Sequence, residues 1–228
     1  ADKGVGIGNQ FLSKIREVNQ IAHVFRAFSD PYISHIHQTH ALGSTEQVLE
    51  DIEIVALELQ IAGIHKRTIY VINVDERNLE DAVRKTIAVR VTTKFGGRAV
   101  VMSAKLEEDA IDLPEEERRK CLEKFGLFES GLTTFIKKTY ELLGLNTFYT
   151  IKDNMVRAWS VTRETTFLEA AKIVYTDFYE NFQGAEVIEV EKLLEVGSWD
   201  KVQEKGLIRQ EIRDHIVRDG DIVEFNLS

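Results

Sequence analysis

Two apolar runs, Thr68-Ile-Tyr-Val-Ile-Asn-Val-Asp-Glu76 and Ala99-Val-Val-Met-Ser-Ala-Lys105, each stop abruptly in polar residues, and they constrain the fold more than any other feature. β-branched and aromatic residues without a polar break suit a parallel strand covered on both faces. Residues 78–95 between the runs have the length and composition of a crossover helix, so the stretch reads as a βαβ unit. Ligands of open α/β sheets sit beyond the carboxyl ends of such strands. Asn73-Val-Asp-Glu76 and Ser103-Ala-Lys105 therefore fall on one rim, where together they can grip a planar base.

The residue types fit a purine. The Asn73 amide both donates and accepts, and the Glu76 carboxylate accepts from N–H donors on a base edge. Ser103, Ala104 and Lys105 offer backbone N–H groups and an aliphatic stem to lie against the ring, with Val74 helping to pack it. An Asn-x-x-Glu tetrad after a strand is more often a turn with an Asx cap. What favours the base is the second motif at this spacing.

Gly4-Val-Gly-Ile-Gly8-Asn-Gln-Phe-Leu12 has glycine at every second position before its sequence turns helical. Glycines so placed predict a loop, one that is mobile or whose backbone approaches a ligand closely. The motif Gly-x-x-x-x-Gly-Lys-Ser/Thr of a phosphate cradle occurs nowhere in the 228 residues.

These stretches carry a resemblance. Asn73-Val-Asp-Glu76 with Ser103-Ala-Lys105 resembles the base-recognition motifs of translation-factor-type GTPases, in the Asn-x-x-Glu variant of the YchF or Obg-like ATPase family. Most relatives have Asn-Lys-x-Asp, and the variant implies a preference for ATP over GTP. Gly4 to Leu12 is similar to that family's second switch loop, which would assign Gly4, Gly6, Gly8 and Asn9 to the switch. Leu49-Glu-Asp-Ile-Glu-Ile-Val-Ala-Leu-Glu-Leu59 resembles the segment leading into a long coiled-coil insertion, but here Gly63-Ile-His-Lys-Arg67 passes straight to the next strand.

Composition narrows the class. The chain is 43% hydrophobic, ample for ordinary cores, and its single Cys121 cannot form an internal disulfide. A reducing, cytoplasmic setting is expected, since no apolar stretch approaches the roughly 18 residues of a membrane span and the first residues resemble no targeting segment. Net charge is -9, with 16 acidic and 10 basic side chains from Asn146 onward. Neither half is a basic module, so DNA and general electrostatic binding of nucleic acid are disfavoured.

Elsewhere Gln20 to Phe28 reads as a buried strand ended by Ser29-Asp-Pro31, with His23 a core residue. His35, His37 and His40 match no standard zinc spacing, and no metal site is expected. Glu46 to Ala62 is helical with Val48, Ile52, Val55, Leu59 and Ala62 at a period near 3.6. Leu113-Pro-Glu-Glu-Glu starts a helix supported by Glu115–Arg119 and Glu116–Lys120 pairs. Gly131 to Leu143 forms another, with Leu132, Phe135, Ile136, Tyr140 and Leu143 on its core side and Gly144 as its cap.

The period then shortens. Strands are expected at 148–151, 155–161, 185–190, 215–217 and 222–225, with a helix over 167–174, helical turns near Lys192 and Trp199, and a hairpin turn at Arg218-Asp-Gly-Asp221. That describes a small α+β domain. Arg157-Ala-Trp-Ser-Val161, Tyr175-Thr-Asp-Phe178, Phe182-Gln-Gly-Ala-Glu-Val187 and Val217-Arg-Asp-Gly-Asp-Ile222 resemble the C-terminal TGS domain of YchF proteins, a β-grasp fold related in shape to ubiquitin. Where that family has a Lys-Gly pair before Thr165, a proline near Leu168, a His at Tyr175 and an Arg at Gly184, this chain does not, which weakens an RNA-holding role for the tail.

The expected fold is thus α/β. Residues 1–145 form a partial P-loop-NTPase-type parallel sheet and 146–228 a β-grasp TGS domain. The resemblance implies a purine-nucleotide-binding ATPase that associates with the large ribosomal subunit. Its nucleotide is ATP or GTP, with Mg²⁺ whose ligands are not in this sequence, and no membrane is involved. Phosphoryl transfer needs a glycine-rich cradle, a lysine and a hydroxyl-bound Mg²⁺, and none is present, so no catalytic residue is assigned. The 228 residues are expected to be part of a longer chain, and the first strand to present an unpaired apolar edge. The alternative is a non-catalytic protein acting on the ribosome or another partner through the TGS domain.

Overall fold

A computed structural model describes residues 2–35, 39–152, 155–175 and 181–227. The chain separates into two compact units, Ala1–Leu143 and Gly144–Ser228, and the fold is mixed α/β. The first unit runs α1 (Asp2–Glu17), β1 (Gln20–Ala27), α2 (Thr45–Ile61), β2 (Arg67–Val74), α3 (Asp81–Phe95), β3 (Arg98–Met102), α4 (Ala104–Ile111), α5 (Glu115–Glu123) and α6 (Gly131–Leu143). Its three strands form one parallel sheet in the order β1-β2-β3.

The central strand explains the uninterrupted apolar run. On one face Tyr70, Ile72 and Val74 pack with Phe25 and Ala27 of β1, Ala99 of β3, and Val48, Ile52, Ile87 and Val91 of the helices α2 and α3. On the other face Ile69, Val71 and Val100 are also buried. β1, at one edge of the sheet and expected to be buried, is so only at Phe25 and Ala27: Val24, on that second face, is 69% exposed. At the opposite edge the Lys138 ammonium of α6 donates to the Ala99 carbonyl at 2.8 Å, and a lysine so placed blunts strand pairing. Burial pushes the pKa of Lys138 down.

Helix α2 begins at Ser44, whose hydroxyl accepts from the Gln47 N–H at 3.2 Å. In α5 the expected Glu116–Lys120 pair forms at 2.9 Å, whereas Arg119 turns to Glu123 at 3.8 Å instead of to Glu115. Two expectations for the helices need correction. Residues Gly4 to Asn9 are helical within α1, not looped. They extend the helix that the residues from Phe11 onward form, although each glycine there costs roughly 1 kcal/mol relative to alanine. In α6, Leu132 and Ile136 are 47% and 49% exposed instead of facing the core. The helix covers β2 and β3 through its other side.

The second unit contains β4 (Leu145–Lys152), β5 (Met155–Thr162), α7 (Phe167–Val174), β6 (Phe182–Glu189), α8 (Val190–Val196), α9 (Trp199–Glu204), β7 (Arg209–Glu211) and β8 (Asp221–Leu227). The sheet order is β5-β4-β8-β6-β7, with β4 and β8 parallel and the other pairs antiparallel. One face buries Phe148, Val187, Val223 and Phe225 against Phe167, Ala170 and Ala171 of α7, and the other buries Ile188 and Ile222 with Val202 of α9.

The strand expected over 215–217 is not one. Its backbone caps α7 instead, with His215 and Arg213 carbonyls accepting from the N–H groups of Phe167 and Leu168, and only an isolated bridge joins Ile216 to Thr166. Thr166 and Glu169 complete a capping box at the same helix end. Val190 opens α8 instead of ending a strand, and β7 escaped the sequence pattern because three alternating charged and polar residues carry no strand signal.

Asp221 reads in the sequence as a turn residue, yet its side chain is 1% exposed. One carboxylate oxygen accepts from the Arg209 guanidinium at 2.6 Å and the other from the Arg218 N–H at 2.9 Å. Burial pushes its pKa up, against the pull of that N–H and of the two arginines. Without the Asp221 carboxylate the Arg218 N–H loses its acceptor, while Arg209, 28% exposed, keeps Glu211 at 3.3 Å. Asp221→Ala is therefore expected to lower the unfolding free energy of residues 144–228 by about 2 kcal/mol, read from urea unfolding followed by Trp159 and Trp199 fluorescence.

Candidate functional site

β2, buried on both faces, carries Asn73 and Val74 rigidly to the rim of the sheet, and β3 ends beside it at Met102, the register partner of Asn73. There the chain must turn. Asp75 makes the first turn possible: its carboxylate caps a short 3₁₀ helix, Glu76–Asn78, by accepting from the Arg77 N–H at 3.0 Å. The Arg77 guanidinium donates to both Asp75 oxygens at 2.9 and 3.0 Å. Those hydrogen bonds hold the Asp75 carboxyl at about 2, well below the usual carboxylate range.

Ser103 makes the second turn. Its buried hydroxyl accepts from the Leu106 N–H at 3.3 Å and caps α4. The next N–H, that of Ala104, donates to Asn73 Oδ1 at 2.9 Å, so the two motifs are hydrogen-bonded to each other. This leaves the Asn73 Nδ2 amide as a donor. Lys105 Nζ stands 3.7 Å from Glu76 Oε1, across the mouth of the site.

These residues line a cleft of about 290 Å³ together with Phe28, Ser29 and Asp30. Asn73, Val74, Glu76, Ser103 and Lys105 all border it; Ala104 does not, and its N–H, expected to face a base, is taken by Asn73. Val74 is also part of the hydrophobic core and forms the floor. The cleft is at the small end of ligand sites, which span about 300–1,000 Å³. It has room for a base with a donor amide, an acceptor carboxylate and an aliphatic lysine stem on its walls. The residues present fit a purine. The 228 residues supply no Gly-x-x-x-x-Gly-Lys-Ser/Thr for the phosphates of a nucleotide. Gly4, Gly6, Gly8 and Asn9 belong to the helix α1.

The sequence reading missed the third wall. Phe28-Ser-Asp30 registered only as the end of a strand, although a third parallel strand must end on the same rim. It also missed a buried polar cluster behind that wall. Gln47 accepts from the Gly43 N–H at 2.9 Å and donates to the Arg26 carbonyl at 2.9 Å and to Asp51, which meets His35 Nε2 at 3.1 Å. His35 is thus held by a carboxylate, His37 lies outside the described residues, and no group of three metal-ligating side chains gathers among the described residues. His23 lies edge-on to Phe25 and Tyr70, and its Nδ1 is buried without a hydrogen-bond partner. Burial pushes its pKa down. Among the described residues no helix is long and apolar enough to cross a membrane.

Comparison with known proteins bears on this arrangement. Residues 145–228 match the family model YchF-GTPase_C, described as a protein of unknown function (DUF933). The ribosome-binding ATPase YchF of Bacillus subtilis (strain 168) is 30% identical over 292 residues, covering 100% of this chain and 78% of the relative. The ribosome-binding ATPase YchF of Escherichia coli O157:H7 is 28% identical, over 99% of this chain and 77% of the relative. The solved Schizosaccharomyces pombe YchF GTPase superposes with a TM-score of 0.71 at 22% identity, over 99% of this chain and 77% of that one, which speaks to fold.

The Asp75 turn predicts a pH dependence. Its folded pKa is depressed from the ordinary 3.8 to about 2, so its contribution is fully present above pH 4 and is lost as pH falls through about 2. A carboxyl carbon titration by NMR is expected to place Asp75 at about 2 in the native chain. In Arg77→Ala its midpoint is expected to rise toward 3.8; an unmoved midpoint would refute the assigned cause.

Proposed function

The chain belongs to the YchF family, and from that premise we propose that it is a purine-nucleotide-binding protein of the ribosome-binding ATPase kind, taking ATP in preference to GTP. The observation that carries the proposal is the cleft in which Asn73, Glu76 and Ser103–Lys105 come together. In it the Asn73 Nδ2 amide donates to a ring nitrogen, and the Glu76 carboxylate accepts from an exocyclic amine. The aliphatic stem of Lys105 lies along the base.

The preference for adenine follows from edge chemistry. Adenine presents an N7 acceptor and an N6 amino donor, whereas guanine presents N7 and O6, both acceptors. A carboxylate beside the C6 substituent gains a charge-assisted hydrogen bond from adenine and faces an acceptor on guanine. Val74 packs beneath the ring. When bound, Mg²⁺ neutralises phosphate charge; none of these residues is assigned to hold it or to carry out hydrolysis.

In this reading residues 1–145 are the nucleotide-binding domain, Gly4, Gly6, Gly8 and Asn9 answer to nucleotide state as a switch, and residues 146–228 are a TGS domain that engages the ribosome in the cytoplasm. The names of the relatives support ribosome association, and the family-model match to residues 145–228 supports a YchF-type C-terminal domain there. A second reading is binding without hydrolysis, through residues 146–228.

Fluorescent ATP and GTP titrated into the chain test the proposal. ATP is expected to bind more tightly, Asn73→Ala to weaken both nucleotides about tenfold, and Glu76→Gln to narrow the difference, because an amide can turn a donor toward guanine O6. Undetectable binding of both nucleotides would sink the nucleotide reading. Co-sedimentation with ribosomes in that case would leave the binding-only protein.

A further inference from the structure

We propose that Arg26 is a positioning residue for nucleotide binding, shaping the cleft by fixing the loop that forms its third wall. The inference rests on the base-cleft reading above and adds a residue that no motif marks. Arg26 is the penultimate residue of β1 and the register partner of Asn73, so it stands beside the cleft's principal polar group.

Its guanidinium is committed to one short segment. Nε donates to the Phe28 carbonyl at 3.0 Å, Nη2 to that of Asp30 at 3.2 Å, and Nη1 to that of Ile33 at 2.9 Å and, more weakly, Ser34 at 3.4 Å. The same group lies over the Phe28 ring, 4.9 Å from its centroid. Phe28, Ser29 and Asp30 are the wall residues. Behind them the Arg26 carbonyl accepts from Gln47, which also holds Gly43. The loop is therefore fixed near both ends, at residues 28–34 and at 43.

A planar fork with five donors can reach carbonyls at 28, 30 and 33 at once, whereas an ammonium concentrates its donors at one point. A loop so held need not be ordered when ligand arrives, and that removes a cost from binding. Without Arg26 the cleft keeps Asn73, Glu76 and Lys105 but loses a defined opposite face.

The test is the affinity of the full chain for fluorescent ATP in Arg26→Ala and Arg26→Lys, each with and without added guanidinium, using urea and sodium chloride as controls. Circular dichroism and the thermal midpoint report folding. Both variants are expected to bind about tenfold more weakly, with Arg26→Lys still folded, and guanidinium but neither control is expected to restore Arg26→Ala. A purely structural role would not give that rescue. Wild-type affinity in Arg26→Ala, where Asn73→Ala loses it, would overturn the proposal alone. A loss that tracks unfolding and ignores guanidinium would overturn it as well. A wild-type chain that binds no ATP would overturn the base-cleft reading and this inference with it.

Discussion

One hydrogen bond, from the Ala104 N–H to Asn73 Oδ1 at 2.9 Å, ties the loop after β3 to the end of β2, the central strand of the first unit's three-stranded sheet. It spans 31 residues of chain and would mean little if either end were free to move. Neither is. β2 is buried on both faces, so Asn73 cannot shift without disturbing the core, and Ser103 sets the start of α4 so that the Ala104 N–H points at its acceptor. Core packing thus becomes the precision of a polar rim.

The rest of the site depends on that lock. With its oxygen engaged, the Asn73 side chain has a settled orientation, and its nitrogen is left as the donor. Asp75 and Arg77 turn the chain away within one 3₁₀ turn, which brings Glu76 back toward Lys105. Arg26, one strand over, supplies the facing wall by holding a loop instead of by reaching the ligand. Three strand ends meet there, as the topology of a parallel sheet requires.

How much of this was legible depended on the kind of signal. β2, β3 and the α6 span were plain in the residues, because unbroken apolar runs and a 3.6 period report burial directly. The pairing of Asn73-Val-Asp-Glu76 with Ser103-Ala-Lys105 was legible as spacing. Phe28-Ser-Asp30 was not, since its role comes from the Arg26 contacts, which are made to backbone carbonyls and leave no mark on the identity of the residues contacted. The 215–217 segment misled for a related reason: its apolar residues suit a strand, but its carbonyls serve α7. Asp221 closes the turn from Arg218, as a carboxylate next to glycine signals, but its burial left no such mark, because it depends on Arg209, twelve residues away. Leu132 and Ile136 sit at helical spacing, yet the sheet beneath α6 is too narrow to cover them.

The central claim is that the Asn73–Ala104 junction fixes the polar wall of a purine site. The most direct measurement is a two-dimensional amide NMR titration of the chain with adenosine monophosphate, which needs neither hydrolysis nor a ribosome. The account predicts that the backbone amides of Ala104 and Lys105 and the side-chain amide of Asn73 move together and saturate along one binding curve. Saturable shifts confined to residues 144–228, or a ligand that binds while Ala104 and Asn73 stay unmoved, would contradict it.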